Sequence, residues 1–223
     1  MSTRRLVQLH VGLALFGLSV ALMVRANLGL ASWDVLHQGL ARSTGLPMGW
    51  VINGVGLLVL LLWVPLRQRP GYGTLANVIV VGIVAQGALA ILPTQQHPTS
   101  RAGLLASAIV LNAVATGLYV GAGLGPGPRD GLMTGLAARG HSITVVRTAI
   151  EIGVLAMGWI LGGTVGIGTL LFAVTIGPLV HYFLPKFAMP NGARHATPQR
   201  DHRQHAPRTS RRVHRAVVHH GRP

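Results

Sequence analysis

The sequence predicts an all-α membrane protein. Six transmembrane helices form two inverted three-helix repeats, and each repeat contains a short broken segment marked by glycine and aspartate. Three observations predict this fold. The 223 residues are 50% hydrophobic and only 10% charged, whereas a soluble domain carries roughly 25% charged residues. Long uncharged stretches separate the charges, and two parts of the chain resemble each other.

The uncharged stretches are long enough for transmembrane helices, because a bilayer core needs about 20 apolar residues per helix. One stretch, 152–185, is too long for a single span, and the glycines at 162–168 divide it. Arg4 and Arg5 precede a first stretch of spanning length, which favours an uncleaved helix over an export signal. The predicted spans are 6–24, 47–66, 74–93, 102–122, 143–162 and 166–185.

The arginines indicate the orientation of the helices, because cytoplasmic loops are enriched in Lys and Arg. A cytosolic N-terminus leaves Arg25, Arg42 and Arg101 outside. The other arginines outside the predicted spans then lie on the cytosolic side, as does the C-terminal tail. They are Arg4, Arg5, Arg67, Arg69, Arg129 and Arg139. The tryptophans fall near span ends, where aromatic rings are expected at headgroup level: Trp33, Trp50, Trp63 and Trp159.

The internal repeat aligns residues 28–41 with 124–137 without gaps, and seven of the fourteen positions are identical. Further along, Gly73-Thr74-Leu75 matches Gly168-Thr169-Leu170, and Gly82 matches Gly177. Three spans per repeat is an odd number, so the second repeat must enter the membrane from the opposite side, as in many secondary transporters. The alternative has eight spans and parallel repeats. It is disfavoured because 28–45 is too polar for a comfortable span.

The Gly-Asp segments should interrupt the helices at Gly29, Gly125, Gly127 and Pro128, since glycine and proline end or break a helix. Asp34 and Asp130 would then be the N-caps of two short helices. Two roles stay open for these acids. They cap helices at the membrane interface, or they line a central cavity together with Arg129.

A further pair of charges is predicted in the fifth span. Arg147 and Glu151 are four residues apart, so they share a helix face and can pair. An ionisable residue inside a span suggests a functional site, and a structural ion pair is the alternative. The candidate residues of a substrate path are therefore Asp34, Arg129, Asp130, Arg147 and Glu151.

The membrane domain is predicted to cover 1–185, with repeats at about 6–93 and 102–185, followed by a disordered cytosolic tail at 186–223. The tail carries nine of the 19 basic residues and six of the 11 histidines. It is expected either to be simply solvated or to contact anionic lipid headgroups. No regular ligand spacing predicts a metal, and no motif predicts a cofactor, a nucleic-acid partner or an enzymatic reaction.

Two motifs resemble those of a known family, the YczE/YitT-like bacterial inner-membrane proteins. The first is Gly29-x-x-Ser32-Trp33-Asp34-Val35, and the second runs from Gly125 through Pro128-Arg129-Asp130-Gly131. Arg147-Thr148-x-x-Glu151 and the glycine-rich stretch 162–169 resemble the stretches that come after the second motif in the YczE branch. The likeness covers about residues 8–185, and it departs at Ser32, where the family usually places proline. It implies a polytopic protein of the bacterial cytoplasmic membrane without an established activity.

Two functions are consistent with these observations. The first is a small-solute or export transporter, because the repeat and the broken segments are typical of such proteins. The alternative is a non-transporting accessory or regulatory membrane protein, in which the same polar residues only hold the bundle together. The sequence identifies neither a substrate nor an oligomeric state.

Overall fold

The computed structural model describes residues 2–189, and this part of the chain folds into eight α-helices with no strand. The helices are α1 (Thr3–Ala26), α2 (Ser32–Thr44), α3 (Met48–Leu61), α4 (Tyr72–Ile91), α5 (Pro98–Gly121), α6 (Pro128–Ala137), α7 (Ile143–Ile160) and α8 (Ile167–Phe187). The tail predicted to be disordered lies outside the described residues from position 190 onward. Its first residues, Lys186 and Phe187, instead belong to α8.

Five of these helices, α1, α4, α5, α7 and α8, are long and apolar enough to cross a membrane, which confirms five of the six predicted spans. The sixth prediction, 47–66, differs from the structure. Helix α3 has 14 residues, or about 21 Å, and the chain turns at 62–67, where Arg67 has a φ of 53°. Helices α2 and α3 are bent by 117° relative to each other, which is the geometry of a broken span or of a re-entrant loop; counted as one span, they bring the described chain to six.

Helices α1 and α5 pack against each other as an antiparallel pair at the centre of the fold. Gln8, near the start of α1, donates through Nε2 to the Leu118 carbonyl near the end of α5 at 3.0 Å. At the other end, Arg101 Nε donates to the Ala26 carbonyl at 2.8 Å. Between these ends, Asn112 Nδ2 donates to Ser19 Oγ at 2.9 Å, so the polar groups buried in this interface are paired. Helix α4 flanks α1 and α8 flanks α5.

The surface of the bundle is apolar, as a bilayer requires. Large hydrophobic side chains are exposed on α3, α4, α7 and α8, among them Leu58, Ile79, Ile152 and Val174. A soluble monomer rarely exposes so much contiguous apolar surface. The four tryptophans expected at headgroup level differ in exposure. Trp50 and Trp159 are exposed, whereas Trp33 and Trp63 are buried in the bundle because each packs against a broken segment.

Each broken segment is joined to a helix start in the other half of the chain. The Gly73 N–H, at the start of α4, donates to the Leu124 carbonyl at 2.8 Å, and the Gly168 N–H, at the start of α8, donates to the Leu28 carbonyl at 2.7 Å. The glycines that come directly after the two carbonyls, Gly29 and Gly125, have φ values of 117° and 125°. Positions that match in the sequence repeat therefore make matching contacts.

The two outer helix pairs, in contrast, do not match. Helices α3 and α4 lie so close that a methyl group at Gly82 would overlap the Gly49 carbonyl and the Asn53 amide. The residue matched to Gly82 is Gly177 on α8, and a methyl group there would have no heavy atom within 4 Å. Helices α3 and α4 are thus in tight contact at Gly82, whereas α8 has no close neighbour at the matching residue, Gly177.

These two glycines make a matched test of the packing. Gly82→Val should destabilise the protein by about 1–3 kcal/mol, because overpacking a tight contact forces neighbouring atoms apart. Gly177→Val should leave the Tm within about 1 °C of the wild type, a change well below 1 kcal/mol. Tryptophan fluorescence during heating of the purified protein in detergent measures both. Equal Tm values for the two variants would contradict the closed α3–α4 contact.

Candidate functional site

The first broken segment leads into α2, and Asp34 lies in the first turn of that helix. The expectation that Asp34 and Asp130 are N-caps is wrong: Ala31 and Gly127 occupy the cap positions, and each acid is the third residue of its helix. In α6 the reason is Pro128, whose fixed φ suits the first helical position, so the helix starts before Asp130. Carboxylates in the first turn still interact favourably with the positive end of the helix dipole.

The second broken segment is held by side chains from three other helices or their ends. Trp63 Nε1 donates to the Pro128 carbonyl at 2.9 Å, and the Thr74 hydroxyl donates to the Pro126 carbonyl at 2.7 Å. The Tyr119 hydroxyl donates to Asp130 Oδ2 at 3.3 Å. The Thr74 bond satisfies a backbone carbonyl outside the helix, and the other two bonds are made to the first turn of α6. They fix where α6 begins.

The two segments meet near the middle of α1. The Arg129 guanidinium, from α6, lies 5.5 Å from the ring centroid of Trp33 in α2 and 5.7 Å from that of Phe16 in α1. Such cation–π contacts stabilise a cation away from water. Arg129 thus lies in the bundle rather than in a loop at its end, because the broken segment brings α6 back between the other helices.

A cavity of about 30 Å³ lies at this meeting point, between α1, α2, α3, α4 and α6. Asp34 and His37 line it from the first segment, and Pro128 and Arg129 from the second. The Asp34 Oδ1 and His37 Nδ1 atoms are 3.2 Å apart. Trp33, which also lines the cavity, has a buried Nε1 without a hydrogen-bond partner among the described residues. This volume suits one or two water molecules.

A larger cleft of about 390 Å³ opens at the end of α1 opposite to the N-terminus. Four polar side chains, Arg25, Gln38, Arg42 and Gln86, line it together with apolar ones: Val24, Ala41, Met48, Leu89 and Ala90. Sequence reasoning missed this site, since the two arginines served only as markers of orientation. One signal was available: Asp34, Gln38 and Arg42 follow each other at intervals of four residues, which places them on one face of a helix.

Helix α2 connects the cleft with the cavity along one polar face. Asp34 and His37 face the cavity, and Gln38 and Arg42 face the cleft. Asp34, His37 and Gln38 are only 3%, 5% and 7% exposed. A polar face of a helix normally points to water. In α2 the part of this face formed by Asp34, His37 and Gln38 points into the protein instead, and Arg42 is exposed at the cleft.

The other two candidates lie elsewhere. Arg147 is exposed and Glu151 half-buried on α7, and neither lines the cavity or the cleft. They make no ion pair within 4 Å, so the pairing inferred from their spacing is not formed. Arg147 is the fifth residue of α7, near a helix end, where a long side chain can extend toward headgroups and water. The structure thus unites Asp34 and Arg129, sets Asp130 beside them, and leaves Arg147 and Glu151 apart.

The anchoring of the second segment can be tested at Thr74, which is fully buried. Its hydroxyl accepts from the Gly71 N–H at 3.2 Å and donates to the Pro126 carbonyl. Thr74→Val should therefore cost about 1–3 kcal/mol, since two partly buried backbone groups lose a partner. Thr74→Ser keeps the hydroxyl and should recover most of the loss in Tm. A serine variant as unstable as the valine variant would contradict this account, because the hydroxyl alone would then not hold the segment.

Comparison with known proteins adds the family. A family of unknown function, DUF6198, matches residues 3–185. An uncharacterized protein of Haemophilus influenzae is 42% identical over 77% of this chain and 79% of its own length. The uncharacterized membrane protein YczE of Bacillus subtilis is 34% identical over 77% and 80%, respectively. YyaS, also an uncharacterized protein of Bacillus subtilis, is 26% identical over 78% and 90%.

No solved structure matches the chain. The matched residues cover all eight helices almost completely, including both broken segments. The similarity to YczE confirms the resemblance drawn from the two motifs. The chain is a membrane protein and belongs to the DUF6198 family of unknown function.

Proposed function

We propose that this protein carries a small solute across the bacterial cytoplasmic membrane, with both termini in the cytosol and the two broken segments at the centre of the path. The polar face of α2 carries the proposal, because it borders both the open cleft and the cavity where the segments meet, and Asp34, His37 and Gln38 on it are buried. Polar side chains are costly inside a membrane and usually mark a pathway or a binding site.

Inverted repeats are the second support. Helices α1 and α5 are the first helices of the two repeats. If the repeats have opposite orientations, these two helices start on opposite sides of the membrane, and their antiparallel packing fits this requirement. The reciprocal bonds from Gly73 and Gly168 to the broken segments fit the same symmetry. In transporters with inverted repeats, broken helices meet at a substrate site near the middle of the membrane.

The unequal packing of the halves fits alternating access. The α3–α4 contact is closed at Gly82, whereas Gly177 on α8 is free of neighbours. If the two repeats exchange these arrangements, α7 and α8 close while α3 and α4 separate. The path would then open toward the opposite face, which is the motion that rocking of repeats produces.

The proposed orientation rests on the arginines. Arg139 donates to the Pro65 carbonyl at 2.8 Å, so it lies close to Arg67 and Arg69. These three arginines are at the end of the bundle where α1 begins. Arg25, Arg42 and Arg101 lie at the other end. The positive-inside bias then assigns the first end to the cytosol. The lipid bilayer is the partner this implies, and the tail adds an anionic lipid contact as a further proposal.

An accessory or regulatory membrane protein is the second candidate. One observation favours it: the central polar groups find partners in the protein, Asp34 with His37 and Asp130 with Tyr119. In that case the cavity holds water and the acids only stabilise the bundle. Neither candidate assigns the chain an enzymatic reaction.

The orientation is tested by single cysteines, for which this cysteine-free chain is a clean background. Gly45→Cys, His97→Cys and Val165→Cys should react in intact cells with a thiol reagent that does not cross the membrane. Pro70→Cys should react only after the cells are opened. Protection of position 45 with labelling of position 70 would contradict the six-span arrangement and favour eight spans.

Transport itself is tested with purified protein in proteoliposomes, by screening classes of small solutes for uptake or solute-dependent currents. For a solute that gives a signal, Asp34→Asn should reduce the rate at least about tenfold, since the variant loses a charge in the path. Glu151→Gln is the matched control because Glu151 lines neither the cavity nor the cleft. No signal for any solute class, or a loss caused by Glu151→Gln alone, would contradict the proposed path.

A further inference from the structure

We propose that the cleft at the end of α1 is a binding site for an oxyanion, a carboxylate or phosphate group. The four polar side chains in its wall are two arginines and two glutamines, and no acidic residue is among the residues that line it. Arginine has five N–H donors and no acceptor, so the character of the site depends on how the glutamine amides are oriented.

The two glutamines use their side-chain oxygens for bonds within the protein. Gln38 Oε1 accepts the Thr164 N–H at 2.7 Å, and Gln86 Oε1 accepts the Gly49 N–H at 3.0 Å. Because a backbone N–H can only donate, it fixes which end of each amide is the oxygen. The NH₂ groups are left for the cleft, and the Gln38 side chain that carries one of them is buried. All four polar side chains thus offer donors.

The arginines are held in place but not neutralised. Arg25 donates through Nη1 to Thr94 Oγ1 at 3.0 Å and through Nη2 to the Leu89 carbonyl. Its Nε is buried without a partner among the described residues. Arg42 donates through Nη1 to the Gly162 carbonyl. No carboxylate in the described part of the chain lies within 4 Å of either guanidinium.

A bound oxyanion meets each of these demands. It neutralises the positive charges of the half-buried Arg25 and the exposed Arg42, and it accepts hydrogen bonds from their remaining N–H groups and from the glutamine NH₂ groups. The volume of about 390 Å³ is in the range of small-molecule sites. Two sources supply this chemistry at the membrane surface: a small soluble anion, or the phosphate of a lipid headgroup. The site would be the substrate entrance of the transporter, and this last step rests on the proposed function.

Binding is measured on the full chain in nanodiscs of phosphatidylcholine, by calorimetry with inorganic phosphate and with succinate as probes. We expect saturable binding of at least one probe, weakened at least about tenfold by Arg25→Gln and by Arg42→Gln, since each removes charged hydrogen bonds to the ligand. Arg101→Gln is the matched control. Arg101 lies at the same end and binds the Ala26 and Asn27 carbonyls, but it does not line the cleft.

A second variant separates binding from folding. Gln38→Glu keeps an oxygen to accept the Thr164 N–H but replaces the NH₂ donor by a carboxylate oxygen. Binding should be lost while the Tm stays near that of the wild type. The lipid source is tested by mass spectrometry of lipids that copurify with the protein. Phosphatidylglycerol kept by the wild type and lost from Arg25→Gln and Gln38→Glu, with no binding of the soluble probes, identifies the headgroup as the ligand.

The proposal is overturned if the wild type binds neither probe and keeps no anionic lipid. It is also overturned if Gln38→Glu binds as tightly as the wild type, or if Arg101→Gln weakens binding as much as Arg25→Gln. Flux measurements keep the two proposals apart. Anion binding without flux of any solute supports the site and contradicts transport. Flux of a solute without anion binding supports transport and contradicts the anion site.

Discussion

Backbone polar groups away from water must find hydrogen-bond partners, and in this protein the requirement is most severe at the two broken segments. The chain meets it reciprocally: the start of α4 binds the Leu124 carbonyl, and the start of α8 binds the Leu28 carbonyl. Each half of the molecule therefore completes the segment of the other. Together with the side-chain bonds to the second segment, these two contacts set the positions of α2 and α6 and of the polar residues they carry.

Close approach of backbones makes these contacts possible, and glycine allows it. A methyl group at Gly29 would come within 2.8 Å of the Gly166 and Thr169 nitrogens, and one at Gly125 within 3.0 Å of the Gly71 Cα. Both glycines also have φ values that other residues rarely adopt. The same residues that interrupt the helices thus allow the partner helix to reach the interruption.

The consequence is that the first turns of two short helices face each other inside the bundle. Arg129 stacks on Trp33 across this junction, and Asp34 and Asp130 each lie at the positive end of their own helix. The symmetry does not extend to the cleft, since Gln38 and Arg42 of α2 match Thr134 and Ala138 of the second repeat. The donor-rich wall therefore has no counterpart at the matching positions of the second half of the chain.

The sequence by itself determined the class of the protein, five of its spans, the repeat and the places where the helices break. These features depend on local properties, namely apolar length, charge spacing, and the conformational limits of glycine and proline. Only the tertiary structure decided which polar residues share a site. Arg25 and Gln86 are 61 positions apart in the numbering of the chain, and they meet in the cleft because α1 and α4 end at the same side.

The opposite case is Arg147 and Glu151, whose spacing predicted a pair that the fold does not form. Spacing fixes which residues share a helix face, but it does not decide whether a long side chain turns to its neighbour or to the surroundings of the helix. Likewise, the glycines and prolines located the breaks, whereas the depth of Arg129 depended on contacts with other helices. Burial and partnership are properties of the packed bundle, because they depend on residues that are distant in the sequence.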